Sequence, residues 1–182
     1  MIEPFSETVK EGVLSYGITC AGYDLRLASD VLVCKNTYGE ILDPKKCKDA
    51  DYMNRLFEKR HEGSSLVLPP GSALLGHSYE YICMPKNVKA RCYGKSTLAR
   101  VFILVNVTPL EPGWEGHLTI EISNVCNHPV RLYLMEGIAQ LEFERIEEPA
   151  SAYTGVYQRQ TGVTASRVME DKDAISAAEK ST

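Results

Sequence analysis

No two of the six cysteines (Cys20, Cys34, Cys47, Cys83, Cys92 and Cys126) are spaced as C-x-x-C, and no apolar leader opens the chain. Reduced, buried thiols in a cytoplasmic protein are therefore expected rather than a disulfide framework. Nothing approaches the roughly 18 consecutive apolar residues of a membrane span, so no membrane association is expected. The four histidines (His61, His77, His117 and His128) are scattered. They form neither H-E-x-x-H nor the H-x-E and P-C-x-x-C pair of zinc deaminases, so zinc is not expected. G-x-S-x-G is also missing. A nucleoside-triphosphatase loop needs a glycine five residues before its Gly-Lys-Ser, and Lys89 stands there. Positive charge is not in excess: the net charge of -4 argues against a general nucleic-acid binder, although a local basic pocket can still hold a small polyanion.

What is present is a chain of 182 residues, 44% hydrophobic, which suffices for one substantial core and makes one domain the default. Period-two patterning recurs between turn residues. Leu25, Leu27, Val31 and Val33 mark one or two strands, and SSLVLPPGSALLGHSYEYICMP is strand-like around a Pro69-Pro70 turn. VFILVNVT is a continuous apolar run that suits a strand buried on both faces. HLTIEIS alternates, with Leu118, Ile120 and Ile122 on one face and Thr119, Glu121 and Ser123 on the other. PVRLYLM and IAQLEFERI follow. Residues 51–62 read equally as a short surface helix or an irregular strand insertion. Few helices and many short strands mean an all-β sandwich or barrel. The boundaries expected are one domain over 1–168, with 150–168 a polar C-terminal lid, and a charged, flexible tail over 169–182.

Three features could carry chemistry. YGKSTLAR (93–100) gathers a glycine, two cations and two hydroxyls, and reads either as an anion-gripping turn or as an ordinary turn with solvated cations. Glu121 is either a solvated strand charge or, if half-buried in a pocket with Arg100 and Ser96, a general base then general acid. PLEPGW is a tight loop holding Glu111 and the single tryptophan, Trp114. Asp24 beside Arg26 reads as a strand-edge ion pair, and Gln140 as a strand-end amide bonded to backbone.

Several stretches, in order, resemble the dCTP deaminase and dUTPase superfamily: AGYDLRL (21–27), GKSTLAR (94–100), VNVTPLEPGWEG (105–116), TIEISN (119–124), EGIAQLEF (136–143) and YQRQTGVTASR (157–167). The set looks most like bacterial dCTP deaminases. The resemblance implies a distorted jelly-roll-like β-barrel with few short helices, assembled as a homotrimer with each site at a subunit boundary. It implies hydrolytic, zinc-independent deamination of dCTP to dUTP and ammonia, supplying thymidylate synthesis. Glu121 is then the proton shuttle, with Ser96 and a carbonyl near Thr108-Pro109 holding the water and Arg100 orienting the carboxylate. Lys95, Ser96 and Thr97, with Leu98 and Ala99 in the same turn, would face the triphosphate. Gln140, Tyr153 and Gln160 would join them, with Mg2+ carried on the phosphates. Glu111 and Trp114 would surround the sugar, and Thr119, Ile120 and Glu121 would read the base.

dCTP is the expected substrate, and dUTP or dTTP are further nucleotides the site could admit. Two differences stand out: Val156 replaces a lysine common in the family's lid, and Glu111 replaces an aspartate. Related deaminases carry an N-terminal helix before the point where MIEPF stands, so an alternative start is an expectation too. The other readings are a dUTPase or bifunctional enzyme releasing diphosphate, and a nucleotide-binding trimer without turnover. Glu121 favours deamination, because a leaving ammonia needs a group that both accepts and donates a proton.

Overall fold

Short apolar runs punctuated by proline and glycine fold into strands that must bury one face, and their pairing defines the architecture. The computed structural model describes residues 1–37 and 39–168; the expected tail over 169–182 lies outside the described residues. In chain order the strands are β1 (Ile2–Glu3), β2 (Gly17–Ile18), β3 (Gly22–Arg26), β4 (Asp30–Cys34), β5 (Phe57–His61), β6 (Ser65–Leu68), β7 (Ala73–Cys83), β8 (Val88–Gly94), β9 (Ile103–Asn106), β10 (Glu115–Asn124), β11 (Val130–Tyr133) and β12 (Gly137–Arg145). Helix α1 (Ala50–Leu56) precedes β5, and the single turn α2 (Ser96–Ala99) joins β8 to β9. The protein is mostly β. Among the described residues no helix is long and apolar enough to cross a membrane.

One sheet runs β5-β4-β7-β10-β9, with β1 added to β7. A second runs β2-β3-β12-β8, and β6 pairs with β11. The alternation in β10 holds as read: Leu118, Ile120 and Ile122 are buried, while Thr119, Glu121 and Ser123 turn the other way. The buried set joins Leu25, Leu27, Leu74 and Leu141 in one core. Residues 51–62 satisfy both readings in succession. Asp49 caps α1 by accepting from the Tyr52 N–H at 2.9 Å, and the chain turns extended at Phe57 to begin β5.

Two expectations need correction. The run VFILVNVT is not buried on both faces: only Ile103 is enclosed, while Phe102 and Leu104 are 59% and 55% exposed. The reason is position, since β9 is the edge strand of its sheet. Asp24 and Arg26 do not pair with each other. Asp24 takes the ammonium of Lys95, and Arg26 donates through Nε to Glu80 Oε1 at 2.7 Å and through its backbone N–H to Glu80 Oε2 at 3.0 Å. The Arg26 guanidinium lies over the rings of Tyr16 and Tyr79, 4.7 and 4.5 Å from the centroids.

Glu80 is fully buried, and Arg26 is its ion-pair partner among the described residues. Replacing Glu80 by alanine leaves a guanidinium facing an emptied, dry site, for which a loss of about 3–5 kcal/mol is expected. Urea unfolding of Glu80→Ala against the parent measures it, and a loss below about 1 kcal/mol would contradict the pairing's structural importance.

Candidate active site

The outward face of β10 is the floor of a cavity of about 490 Å³. Thr119 pairs with His77 of β7, and Glu121 sits between Leu75 of β7 and Asn106 of β9. A bulge between His117 and Thr119 interrupts the register with β7. Within it the Ser78 hydroxyl accepts the Leu118 N–H at 2.8 Å.

Three surrounding segments make the walls. The turn after β9 supplies Thr108, Pro109, Leu110, Glu111 and Trp114. The C-terminal segment supplies Tyr153, Tyr157, Gln160 and Thr164. The insertion around α1 supplies Leu42, Pro44, Cys47 and Met53, with Phe57 behind them.

The C-terminal segment is tied down along β10. The buried Trp114 indole donates to Tyr157 O at 3.0 Å, the Glu115 N–H donates to Gln158 Oε1 at 3.0 Å, and the His117 N–H donates to Gln160 O at 2.9 Å. Gly116 permits this approach. It sits at φ 149, and a Cβ there would fall 2.8 Å from Gln160 O. Gln160 is buried, its amide donating to His117 O at 2.7 Å and Thr119 Oγ1 at 3.3 Å.

Glu121 is half-buried, and its Oε2 is enclosed without a hydrogen-bond partner among the described residues. Burial pushes its carboxyl above the usual range, against the opposing pull of its own backbone N–H and the Asn106 side chain. Two further buried polar atoms lack partners in the same region: Nε2 of His77, opposite Thr119, and Oε1 of Gln160, beside it. His77 donates Nδ1–H to Ser78 O at 2.8 Å, and burial holds its imidazole neutral by lowering its pKa. A floor with an elevated carboxyl and unpaired acceptors suits a polar ring that brings its own donors.

The residues singled out in the sequence fall into two sets. Glu111, Trp114, Thr119, Glu121, Tyr153 and Gln160 line the cavity. Ile120 does not: strand parity sends its side chain into the core, leaving only its backbone near the floor. The second set lies at α2. Ser96, Thr97, Ala99 and Arg100 are exposed, Leu98 is buried, and the Arg100 guanidinium donates to Ser96 O at 2.9 Å.

Lys95 caps that turn, but its ammonium is held by Asp24 and by Ser15 Oγ at 3.0 Å, so in this arrangement it does not face solvent as a free cation. Gln140 donates to Thr19 Oγ1 at 3.1 Å rather than to backbone. Gly94 is required less for turning than for contact, since a Cβ there would meet Val105 at 2.8 Å. Sequence reasoning missed Asn106, Leu75, Met53 and Tyr157. Asn106 and Tyr157 stand in stretches that carried the resemblance, VNVTPLEPGWEG and YQRQTGVTASR, whereas Leu75 and Met53 carried no local signal.

A family model described as dCTP deaminase-like matches residues 2–146. The chain belongs to that family. Among relatives of this dCTP deaminase-like chain, the dCTP deaminase of Sulfurovum sp. (strain NBC37-1) is 43% identical over 177 residues, covering 94% of this chain and 91% of that protein. The dCTP deaminase of Granulibacter bethesdensis is 44% identical over 173 residues, 92% and 91% of the two chains. In fold, the chain is similar to the crystal structure of 2'-deoxycytidine 5'-triphosphate deaminase from Agrobacterium tumefaciens, with TM-score 0.58 and 21% identity over 79% of this chain and 43% of that one.

The indole bond to Tyr157 gives a test of how the third wall is held. Trp114→Phe keeps most of the apolar contact and leaves the Tyr157 carbonyl short of a donor, a loss of about 1–3 kcal/mol. Faster amide hydrogen exchange over residues 157–164 is expected, and unchanged protection would show that the indole does not anchor the segment.

Proposed function

We propose that this chain hydrolyses dCTP to dUTP and ammonia, with Glu121 as the proton carrier. The observation that carries the reading is the half-buried Glu121, its carboxyl raised by burial and one oxygen unpaired, on the floor of a cavity of nucleoside dimensions. The relatives named above, matched over nearly their whole length, support the same activity.

The chemistry balances on one carboxylate. Water oxygen bonds to C4 of the cytosine while Glu121 accepts a water proton. The C4–N4 bond then breaks, and Glu121 delivers a proton to the departing amine, which leaves as ammonia. The second water proton ends on ring N3, completing uracil. A group that must both take and give a proton works best with a pKa nearer neutrality than an exposed glutamate's, and burial moves Glu121 in that direction. Thr108 and Pro109, on the adjoining wall, offer backbone carbonyls to the water, while Glu111, Trp114 and Tyr153 enclose the sugar. Mg2+ enters with the triphosphate, as part of the substrate.

The same reading assigns the α2 set to a neighbouring copy. Ser96, Thr97 and Arg100 are exposed and absent from the cavity wall of their own chain, while Val101, Phe102, Leu104 and Val125 form an exposed apolar surface beside them. Burying that surface in a homotrimer of jelly-roll-type subunits would carry Ser96 and Arg100 of the partner subunit to Glu121, and the Ser96 and Thr97 hydroxyls to the phosphates. Lys95 then anchors the turn through Asp24, and residues 150–168 act as the lid.

Product chromatography after incubation with dCTP and Mg2+ should show dUTP, and no dUTP or dUMP from an intact assembly would sink the proposal. Glu121→Gln should lose about 10²–10⁴-fold in kcat. The acid limb of kcat/KM should lie above the roughly 4.3 of an ordinary glutamate, since activity needs the carboxylate and falls as pH drops through the raised value. The stability sign is opposite. A raised folded-state pKa means the folded chain holds this proton more tightly, a contribution present at low pH and lost as pH rises through that value. Glu121→Gln should therefore fold at least as stably as the parent at neutral pH, and a parent-like rate would refute the role.

A further inference from the structure

The two flanks of Glu121 on the cavity floor differ in chemistry. Residues paired across strands point to the same face with Cβ atoms about 4.5–5.5 Å apart, so Leu75 stands directly beside Glu121 on the β7 side. Leu75 packs into a satellite apolar cluster with Leu32, Cys34, Cys47, Met53 and Phe57. The cavity wall on that flank is therefore hydrocarbon and thiol, and the Cys47 thiol is turned to Asp43 O at 3.5 Å. Across β10 from Leu75 stands Asn106 of β9, and along β10 and the C-terminal segment the floor presents Thr119, Gln160 and Thr164.

Resting on the reading that Glu121 works at C4, a cytosine ring can occupy this floor in one sense only. C4 has two ring neighbours: N3, which needs a hydrogen bond, and C5, which carries only hydrogen. N3 against Leu75 and Met53 would be buried without a partner, a penalty avoided when N3 turns toward Asn106, whose amide bonds Glu121 and has a second N–H to give. C5 therefore faces Leu75, with Met53 of α1 in the wall beyond. Met53 is half-buried, unbranched and adaptable in shape, on a helix that belongs to an insertion rather than to the sheets.

We propose that this apolar flank is a C5 subsite, and that the enzyme also deaminates 5-methyl-dCTP. The bonds made and broken match those for dCTP: water oxygen joins C4, the C4–N4 bond breaks, and ammonia leaves. The product is then dTTP. The methyl group displaces no hydrogen bond, because the flank offers none to lose.

Turnover of 5-methyl-dCTP and dCTP is compared by product chromatography, giving the ratio of their kcat/KM values. The ratio should lie within about tenfold of unity. Met53→Trp, which fills the wall, should lower the ratio by about tenfold or more. Met53→Ala opens the same wall and should move the ratio in favour of the methylated nucleotide, providing a second reading should the tryptophan variant not fold. Turnover of dCTP with 5-methyl-dCTP slower by more than about a hundredfold overturns the subsite while leaving the deaminase reading intact. A ratio unmoved by both substitutions also overturns it. Turnover of neither nucleotide by the parent protein overturns both.

Discussion

A carboxyl group held half out of water, with no cation to neutralise it among the described residues, is the constraint on which the site depends. Glu121 cannot escape this position. Its neighbours Ile120 and Ile122 are locked into the core, strand parity fixes the opposite face for Glu121, and a one-residue slip of β10 would expose three core side chains. The energy of the hydrophobic core is thus what holds a costly group in place. Each fully buried aliphatic side chain on the inner face contributes about 1.5–3 kcal/mol, ample to offset one partly desolvated carboxyl.

The other buried carboxylates show what the chain does when no proton has to move. Asp24 is matched by Lys95, and Glu80 by Arg26 with two hydrogen bonds and two flanking aromatic rings. Both pairs lie on strand β3 and fasten it to its surroundings, one to the α2 turn and the other to β7. Among the described residues no cation pairs with Glu121, and burial raises its carboxyl. Pairing and its absence therefore separate fastening carboxylates from the one proposed to exchange a proton.

Much of this was legible in sequence, for a local reason. The alternation of HLTIEIS states which face Glu121 takes, and the proline and glycine content of PLEPGW states that a rigid turn overhangs it. What was illegible depends on long-range pairing. The Arg26–Glu80 contact spans 54 residues and the Lys95–Asp24 contact 71, so neighbouring Asp24 and Arg26 looked like a pair when each had a distant partner. Edge position is equally hidden: VFILVNVT has the composition of a central strand, and only the sheet order shows that no described residue covers Leu104. Leu75 and Met53 carry no motif at all, because an apolar wall is made by register and not by residue type.

The exposed edge and the divided site are best understood together. A chain that leaves Phe102 and Leu104 to solvent at the end of a sheet exposes unpaired backbone and apolar surface at once, an arrangement that invites another strand or another subunit. The turn that precedes this edge is also where the hydroxyls and guanidinium of Ser96, Thr97 and Arg100 are displayed, away from the cavity of their own chain. Assembly would bury the first feature and employ the second. On the proposed assembly, the same surface would bring cationic and hydroxyl groups to a carboxyl that has no cation beside it among the described residues, so that the proposed proton carrier would gain its electrostatic setting from a neighbouring subunit.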